Sequence, residues 1–165
     1  MFDLADLDIV AKGDEPQPLD LISPVTNSVI ADGDGNPARV YVLSIYSDTM
    51  KKIGHEHANR TAKQSKAPTA EDLEDRSLTL SAHLLMARPW EGFCVPGQKE
   101  VPLPFTLANA KRILSQPWAR RQVETFAAQE GNFLSSASER SSSTPPTSSS
   151  SRGTSDAPAA PSANG

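Results

Sequence analysis

The N-terminal third of the chain alternates short runs rich in apolar residues with turn-forming residues. The runs occupy positions 19–22, 28–30 and 39–45, and the Asp-Gly-Asp-Gly-Asn-Pro segment at 32–37 lies between the last two. Its glycines accept positive φ and its proline fixes φ, as a hairpin loop requires. We therefore predict a small N-terminal antiparallel β-sheet or hairpin, with a turn at 32–37.

Helical spacing replaces the strand pattern after residue 46, and about four helices are predicted. They begin at Ser47, at the N-cap Thr69, at the N-cap Thr106 and at Pro117, where the missing N–H of proline costs nothing. The second helix is expected to end near Arg88, before Pro89. The apolar stripes are Met50, Ile53, His57 and Thr61, then Leu73, Leu80, Leu84 and Ala87, then Leu107, Ala110 and Leu114, and finally Ala119, Val123, Phe126 and Ala127.

Two further features complete the predicted helical region. Residues 90–104 are rich in glycine and proline, which predicts a loop that Trp90, Phe93 and Val95 attach to the core. Arg120 and Glu124 are spaced for an i,i+4 ion pair on the polar side of the last helix.

The two ends of the chain differ from its centre in composition. Residues 1–17 combine Asp and Glu with scattered apolar residues, glycine and proline, which predicts a flexible acidic arm. After Leu134 the sequence has no Leu, Ile, Val, Met or aromatic residue, so residues 135–165 are predicted to form a disordered Ser/Pro-rich tail. Between them, residues 18–134 are expected to form a single α+β domain.

Charge and cysteine content restrict the function classes. The net charge of −4 lacks the clustered cations that nucleic-acid binding requires, so we expect no nucleic-acid partner. The acidic N-terminus does not resemble a secretory signal, and no apolar run approaches the ~20 residues that span a membrane, so no membrane association is expected. Cys94 is the only cysteine, and its Phe-Cys-Val setting predicts an inert, buried thiol.

Each sequence pattern associated with metal binding or catalysis is a weak signal in this chain. The segment at 32–36 begins like a calcium loop but has Pro37 and Leu43 where that loop needs Gly and Glu, so a plain turn is favoured. His55 and His57 would point in directions about 200° apart on a helix and could not share a metal ion. No nucleophile motif or phosphate-binding glycine pattern is present in the sequence. We expect no enzyme activity and assign no catalytic, cofactor-binding or metal-binding residue.

A set of short motifs in fixed order resembles the tail assembly chaperone family of siphophage-type bacteriophages. The motifs are Tyr46-Ser47-Asp48, Trp90-Glu91-Gly92-Phe93, Val101-Pro102-Leu103-Pro104-Phe105-Thr106, Ala108-Asn109-Ala110, Pro117-Trp118 with Gln122-Val123, and Asn132-Phe133-Leu134. The resemblance covers residues 18–134 and is most specific from Pro104 to Leu134. The Ser/Pro-rich extension departs from the family pattern.

This resemblance implies a non-enzymatic function in the host cell cytoplasm. Such a chaperone binds the tape measure protein while tail tube protein assembles around it, and it is absent from the mature virion; a ribosomal frameshift often yields a second, longer product. Covering an apolar stripe on a long helical partner would prevent its aggregation. The alternative is a structural virion component, such as a minor tail or head-to-tail joining protein. Self-association is left open, and no cofactor is expected.

Three aromatic residues are candidate partner-binding residues. Trp118 and Phe133 lie at predicted helix ends, and Phe126 belongs to the stripe of the last helix. The alternative interpretation, that these side chains are core residues, is favoured because the chain has only two tryptophans. We expect the partner to bind in an apolar groove between the last helices.

Overall fold

The computed structural model describes residues 4–134, and the predicted tail at 135–165 lies outside this range. The described chain is α+β, as predicted: a small antiparallel hairpin precedes a set of helices. After a 3-10 turn at Leu4–Leu7, the elements are α1 Ile9–Lys12, β1 Gln17–Asp20, β2 Arg39–Val42, α2 Asp48–Ala62, α3 Ala70–His83, β3 Cys94–Val95, β4 Gln98–Pro102, α4 Leu107–Leu114, α5 Pro117–Ala128 and α6 Gly131–Leu134.

β1 and β2 form the N-terminal antiparallel pair. Gln17 lies opposite Val42 and Asp20 opposite Arg39, and the Arg39 guanidinium donates to both Asp20 carboxylate oxygens at 2.6 and 3.0 Å. This bond is the main reason that the pKa of Asp20 is lowered. The long connection between the strands folds back on itself through a bridge between Ala31 and Pro37. The predicted turn at 32–37 is therefore confirmed.

β2 and the residues after it are hydrogen-bonded to four distant segments. Arg39 exchanges two backbone bonds with Glu91, at 3.0 and 2.9 Å. Farther along, the amide of Leu43 donates to Leu84, that of Ser44 to Gly13, and that of Ile45 to Ala127, at 2.9, 3.1 and 3.1 Å. Because Val40, Tyr41, Val42 and Leu43 are all buried, this extended segment forms the centre of the core. The main core cluster is Leu21, Val40, Val42, Ala82, Leu84, Leu85, Trp90, Ala110, Ile113, Leu114, Ala119, Val123 and Ala127.

Local capping chemistry places the starts of the four main helices where the sequence predicts them. The hydroxyl groups of Ser47, Thr69 and Thr106 accept from backbone amides three residues later, and Thr69 forms a full capping box with Asp72. α5 begins with Pro117 in its first turn. These helix starts are therefore confirmed. The sequence could predict them because each depends on contacts within a few residues.

The end of α3 differs from the prediction. The helix ends at His83, and residues 84–86 continue as tighter turns whose amides bond three residues back. This tightening brings Leu84 and Leu85 into the core, where the Leu84 carbonyl accepts from Leu43. Leu73 and Ala87, predicted on the buried stripe, are exposed instead.

The predicted loop at 90–104 contains a second hairpin. β3 and β4 pair in antiparallel orientation around Gly97, whose φ is +80°. Trp90 is buried, and its indole N–H donates to the Leu103 carbonyl at 3.1 Å. All residues of β4 are exposed, so the strand lacks the apolar alternation by which a sequence pattern reveals a strand.

The N-terminal segment also has local order in the structure. The Asp8 carboxylate caps α1 by accepting from two amides, those of Val10 and Ala11. Gly13 then lies against Ser44 so closely that an added Cβ would stand 2.8 Å from the Ser44 Cβ. α1 packs beside α6, so the two ends of the described chain meet.

Gly92 and Gly97 provide a matched test of how the second hairpin, β3 and β4, is attached to the core. Both have positive φ, but a Cβ on Gly92 would lie 2.5 Å from the Pro37 carbonyl oxygen, whereas nothing lies within 4 Å of one on Gly97. We expect Gly97→Ala to lower the free energy of unfolding by about 1–2 kcal/mol through φ strain alone. Gly92→Ala should cost about 1–3 kcal/mol more because of the clash. Urea denaturation measures both, and equal losses would contradict the close packing of Gly92.

Candidate functional site

An apolar groove with a volume of about 260 Å³ lies between the second hairpin and the α4–α5 corner. We call it the Trp118 groove. Its lining residues are Leu21, Phe93, Cys94, Pro96, Leu103, Arg112, Ile113, Gln116, Trp118 and Ala119. This cleft differs from the predicted groove between the last helices, because α4 and α5 form one wall and the unpredicted hairpin forms the other.

The hairpin wall is fixed at its base rather than at its tip. The Leu103 amide donates to the Phe93 carbonyl at 2.9 Å, which closes the hairpin, and Trp90 stacks edge-on against Phe105 with ring centroids 5.0 Å apart. The Tyr41 hydroxyl donates to the Glu91 carboxylate at 2.7 Å, beside the two backbone bonds from Arg39. This wall is consequently tied to the centre of the core.

The helical wall is formed by the junction of α4 and α5. Ile113 and Ala119 are almost fully buried and form its base, while Trp118 is half-buried. Trp118 follows Pro117 directly, so its backbone conformation is set by the proline-initiated first turn of α5. A half-buried tryptophan beside apolar neighbours is typical of a residue that anchors a protein interface.

One cation lies at the edge of the groove. Arg112 is exposed, and none of the acidic side chains within residues 4–134 forms an ion pair with it. The remaining lining is apolar except for Gln116 and Cys94. The groove therefore suits an apolar segment, with room for a carboxylate of that segment at Arg112.

Gln122 holds the chain segment next to this groove. Its side-chain amide donates to the Ile22 carbonyl at 2.8 Å and accepts from the Ile22 amide at 2.9 Å. Leu21, the preceding residue, is fully buried and lines the groove. In the sequence Gln122 is marked only as part of a motif, and Arg112 is not marked at all, since neither local spacing nor polarity reveals these contacts.

The three aromatic candidates do not share one surface. Trp118 lines the groove, while Phe126 lies two helical turns farther on, about 12 Å along the axis of α5. Phe126 is half-buried and packs edge-on against Phe133, with centroids 5.9 Å apart. Phe133 is only 1% exposed, so in this conformation its ring is a core residue and is not presented to a partner.

The predicted burial of Cys94 is wrong. Its neighbours Phe93 and Val95 are half-buried, but Cys94 is exposed because side chains alternate between the two faces of a strand. It lines the Trp118 groove and also a second cleft beside the turn at 32–34. The single thiol is therefore a natural attachment point at the edge of the groove.

A polar cluster joins α3 to α5. The Arg120 guanidinium donates to Glu124, Glu74 and the Ser77 hydroxyl at 2.8, 2.6 and 2.6 Å, which confirms the predicted i,i+4 pair. The bond to Glu124, followed by that to Glu74, raises the pKa of Arg120, while burial opposes this shift. Burial alone would raise the pKa of Glu124, but the Ser81 hydroxyl and Arg120 together lower it. An ionised carboxylate with all these partners is typical of a structural ion pair.

The residues of the two patterns considered for metal binding make other contacts in the structure. Asp32 accepts from the amides of Asp34 and Asn36 at 2.9 and 2.8 Å, and its pKa is lowered chiefly by the side chain of Asn36. His57 faces His83 rather than His55. Within residues 4–134 no group of three His, Cys, Asp or Glu side chains is arranged to hold a metal ion. In the same residues, no helix has the length and apolar character needed to cross a membrane.

The chain matches no protein-family profile, no curated protein and no solved structure.

The position of Cys94 gives a direct chemical test. We expect the native protein to react with one equivalent of a chromogenic disulfide reagent without denaturant, because the thiol is exposed. Absorbance of the released thiolate measures the reaction, with Cys94→Ala as the blank. Reaction only after adding urea would contradict the position of the thiol.

Arg120 is expected to contribute more to stability than the other cation that reaches α3. Arg120→Ala removes three side-chain bonds from a residue that is 19% exposed, so the free energy of unfolding should fall by about 1–2 kcal/mol. Lys111→Ala removes one pair with Asp75, whose side chain is 63% exposed, and should cost less than about 1 kcal/mol. Chemical denaturation of both variants checks the order, and the reverse order would contradict this role of Arg120.

Proposed function

We propose that this protein is a tail assembly chaperone that binds the tape measure protein and assists assembly of the tail tube, without catalysing a reaction. The Trp118 groove is the observation that carries the proposal at the level of the structure. The ordered motifs from Pro104 to Leu134 support it from the sequence, and one of their residues, Trp118, lines the groove.

The groove suits reversible binding of a polypeptide. Its walls are apolar, its base is held by the core, and its aromatic anchor is half-buried and therefore partly available. An apolar stripe of a partner helix would lose contact with water there, and burial of apolar surface is the main favourable term in protein association. Because the groove is short, several copies of the chaperone would be needed along a long tape measure protein.

Co-expression with a tape measure protein, the product that the proposal places next to this chain in the genome, tests the proposal. We expect the soluble fraction of the tape measure protein to increase when this protein is present. Trp118→Ala should reduce that increase and weaken binding of the purified partners by at least about 30-fold, as expected for a central aromatic anchor. Affinity is measured by calorimetry on the full-length chain.

Two controls separate a binding defect from a folding defect. Leu73→Ala removes an exposed apolar side chain outside the groove and should leave the affinity unchanged. Coupling a bulky maleimide to Cys94 should block binding in the wild-type chain, whereas the same treatment of Cys94→Ala should have no effect. Two results together would contradict the proposal: an unchanged affinity after labelling of Cys94, and a tape measure protein that is equally soluble when this protein is not co-expressed.

The structural-component alternative makes a different prediction for purified virions. A chaperone leaves the particle, whereas a minor tail or joining protein is retained in fixed stoichiometry. Quantitative mass spectrometry of the particles distinguishes these outcomes, and stoichiometric retention would replace the chaperone proposal by the structural one.

A further inference from the structure

α2 and α3 form an antiparallel helical pair that is joined by two polar contacts. Arg76 of α3 donates to the Thr61 hydroxyl at 3.1 Å and also to the Gln64 side chain, near the connection between the helices. Farther from that connection, the His57 and His83 rings meet edge-on, with centroids 6.1 Å apart. The two helices thus meet through a polar end and a histidine pair rather than through a continuous apolar seam.

α2 is weakly anchored compared with the other long helices. None of residues 48–62, all of which the structure describes, is fully buried. Met50 is the α2 side chain that packs against the main core cluster, and the buried N-cap Ser47 holds the start of the helix. The histidine pair is a described side-chain contact between the middle of α2 and the end of α3.

We propose that α2 is a pH-released helix, in which protonation of His83, which faces His57, detaches it from α3. The His83 ring lies in a partly desolvated position against the His57 ring, where a positive charge is unfavourable. Detachment hydrates His83, while the buried Ser47 and the half-buried Met50 keep the start of the helix attached.

The surrounding charges set the direction of the effect. Burial, followed by the nearby His57, lowers the pKa of His83, and Glu56 opposes this shift. On α3 itself, Arg76 lies about two turns before His83 and adds positive charge on the same face. Glu124 of α5 is engaged by Ser81 and Arg120, and Ser81 points away from His83 because side chains two apart on a helix diverge.

The sign of the pH dependence follows from the lowered pKa. With α2 detached, His83 regains an ordinary pKa near 6.5 and therefore binds protons more readily than in the docked state. The docked state has its full advantage above about pH 6.5, and it loses that advantage as the pH falls below this value. Release would expose Ile53 together with the face of α3 between Arg76 and His83.

Hydrogen–deuterium exchange of the full-length chain tests the proposal. Between about pH 7.5 and about pH 5, which bracket the ordinary histidine pKa, amides of residues 48–62 should lose protection several-fold after correction for intrinsic exchange. Those of α5 should stay protected. The variant His83→Leu should keep α2 protected at both pH values, and His83→Gln serves as a second, polar replacement that cannot be protonated.

His55 supplies the matched control. It is exposed on the same helix two residues from His57, so His55→Leu should retain the wild-type loss of protection. The proposal is overturned if the wild-type α2 keeps its protection at low pH, or if the His83 variants lose it as the wild type does. A flat response in His55→Leu would equally overturn it, because the effect would then depend on the total charge of α2.

Discussion

The structure depends on the extended segment formed by β2 and the residues that follow it. Within seven residues, backbone bonds from this segment reach Glu91, Leu84, Gly13 and Ala127, in addition to the pairing with β1. A buried amide without a partner is costly, so each of these bonds fixes the position of a remote segment. The second hairpin, the end of α3, the N-terminal segment and the end of α5 are arranged around one strand.

This arrangement explains which parts of the fold could be predicted. The helix starts at Ser47, Thr69 and Thr106 depend on a hydroxyl and an amide three residues away, so they are visible in the sequence. The end of α3 depends on the bond between Leu43 and Leu84, which are far apart in the chain, and no local pattern reveals it. The second hairpin was missed because its outer strand is entirely exposed and polar enough to resemble a loop.

The candidate site likewise has one part that the sequence reveals and one part that it does not. Trp118 was identified from its residue type and its place at the start of a helix, and it does line the groove. The opposite wall could not be predicted, since Phe93 and Leu103 come together only when the unpredicted hairpin closes. The exposure of Cys94 follows from the strand alternation of that hairpin, whereas the apolar neighbours of Cys94 in the sequence suggested the opposite. The proposed chaperone function uses the groove as a binding surface with a rigid base. In contrast, α2 is weakly packed and contacts α3 through a histidine pair, so it is the helix of the described chain that we expect to detach.

The packing of α1 beside α6 has a practical consequence for the connectivity of the chain. Since the segments at residues 9–12 and 131–134 are neighbours, a chain shortened to residues 9–134 could be closed by a short engineered linker without stretching the backbone, which gives a circular permutant once new ends are opened elsewhere. New ends could then be opened in the exposed connection at residues 63–69, where few tertiary bonds would be lost. In such a permutant α2 and α3 would become the terminal elements, and their contact would no longer be enforced by a covalent loop.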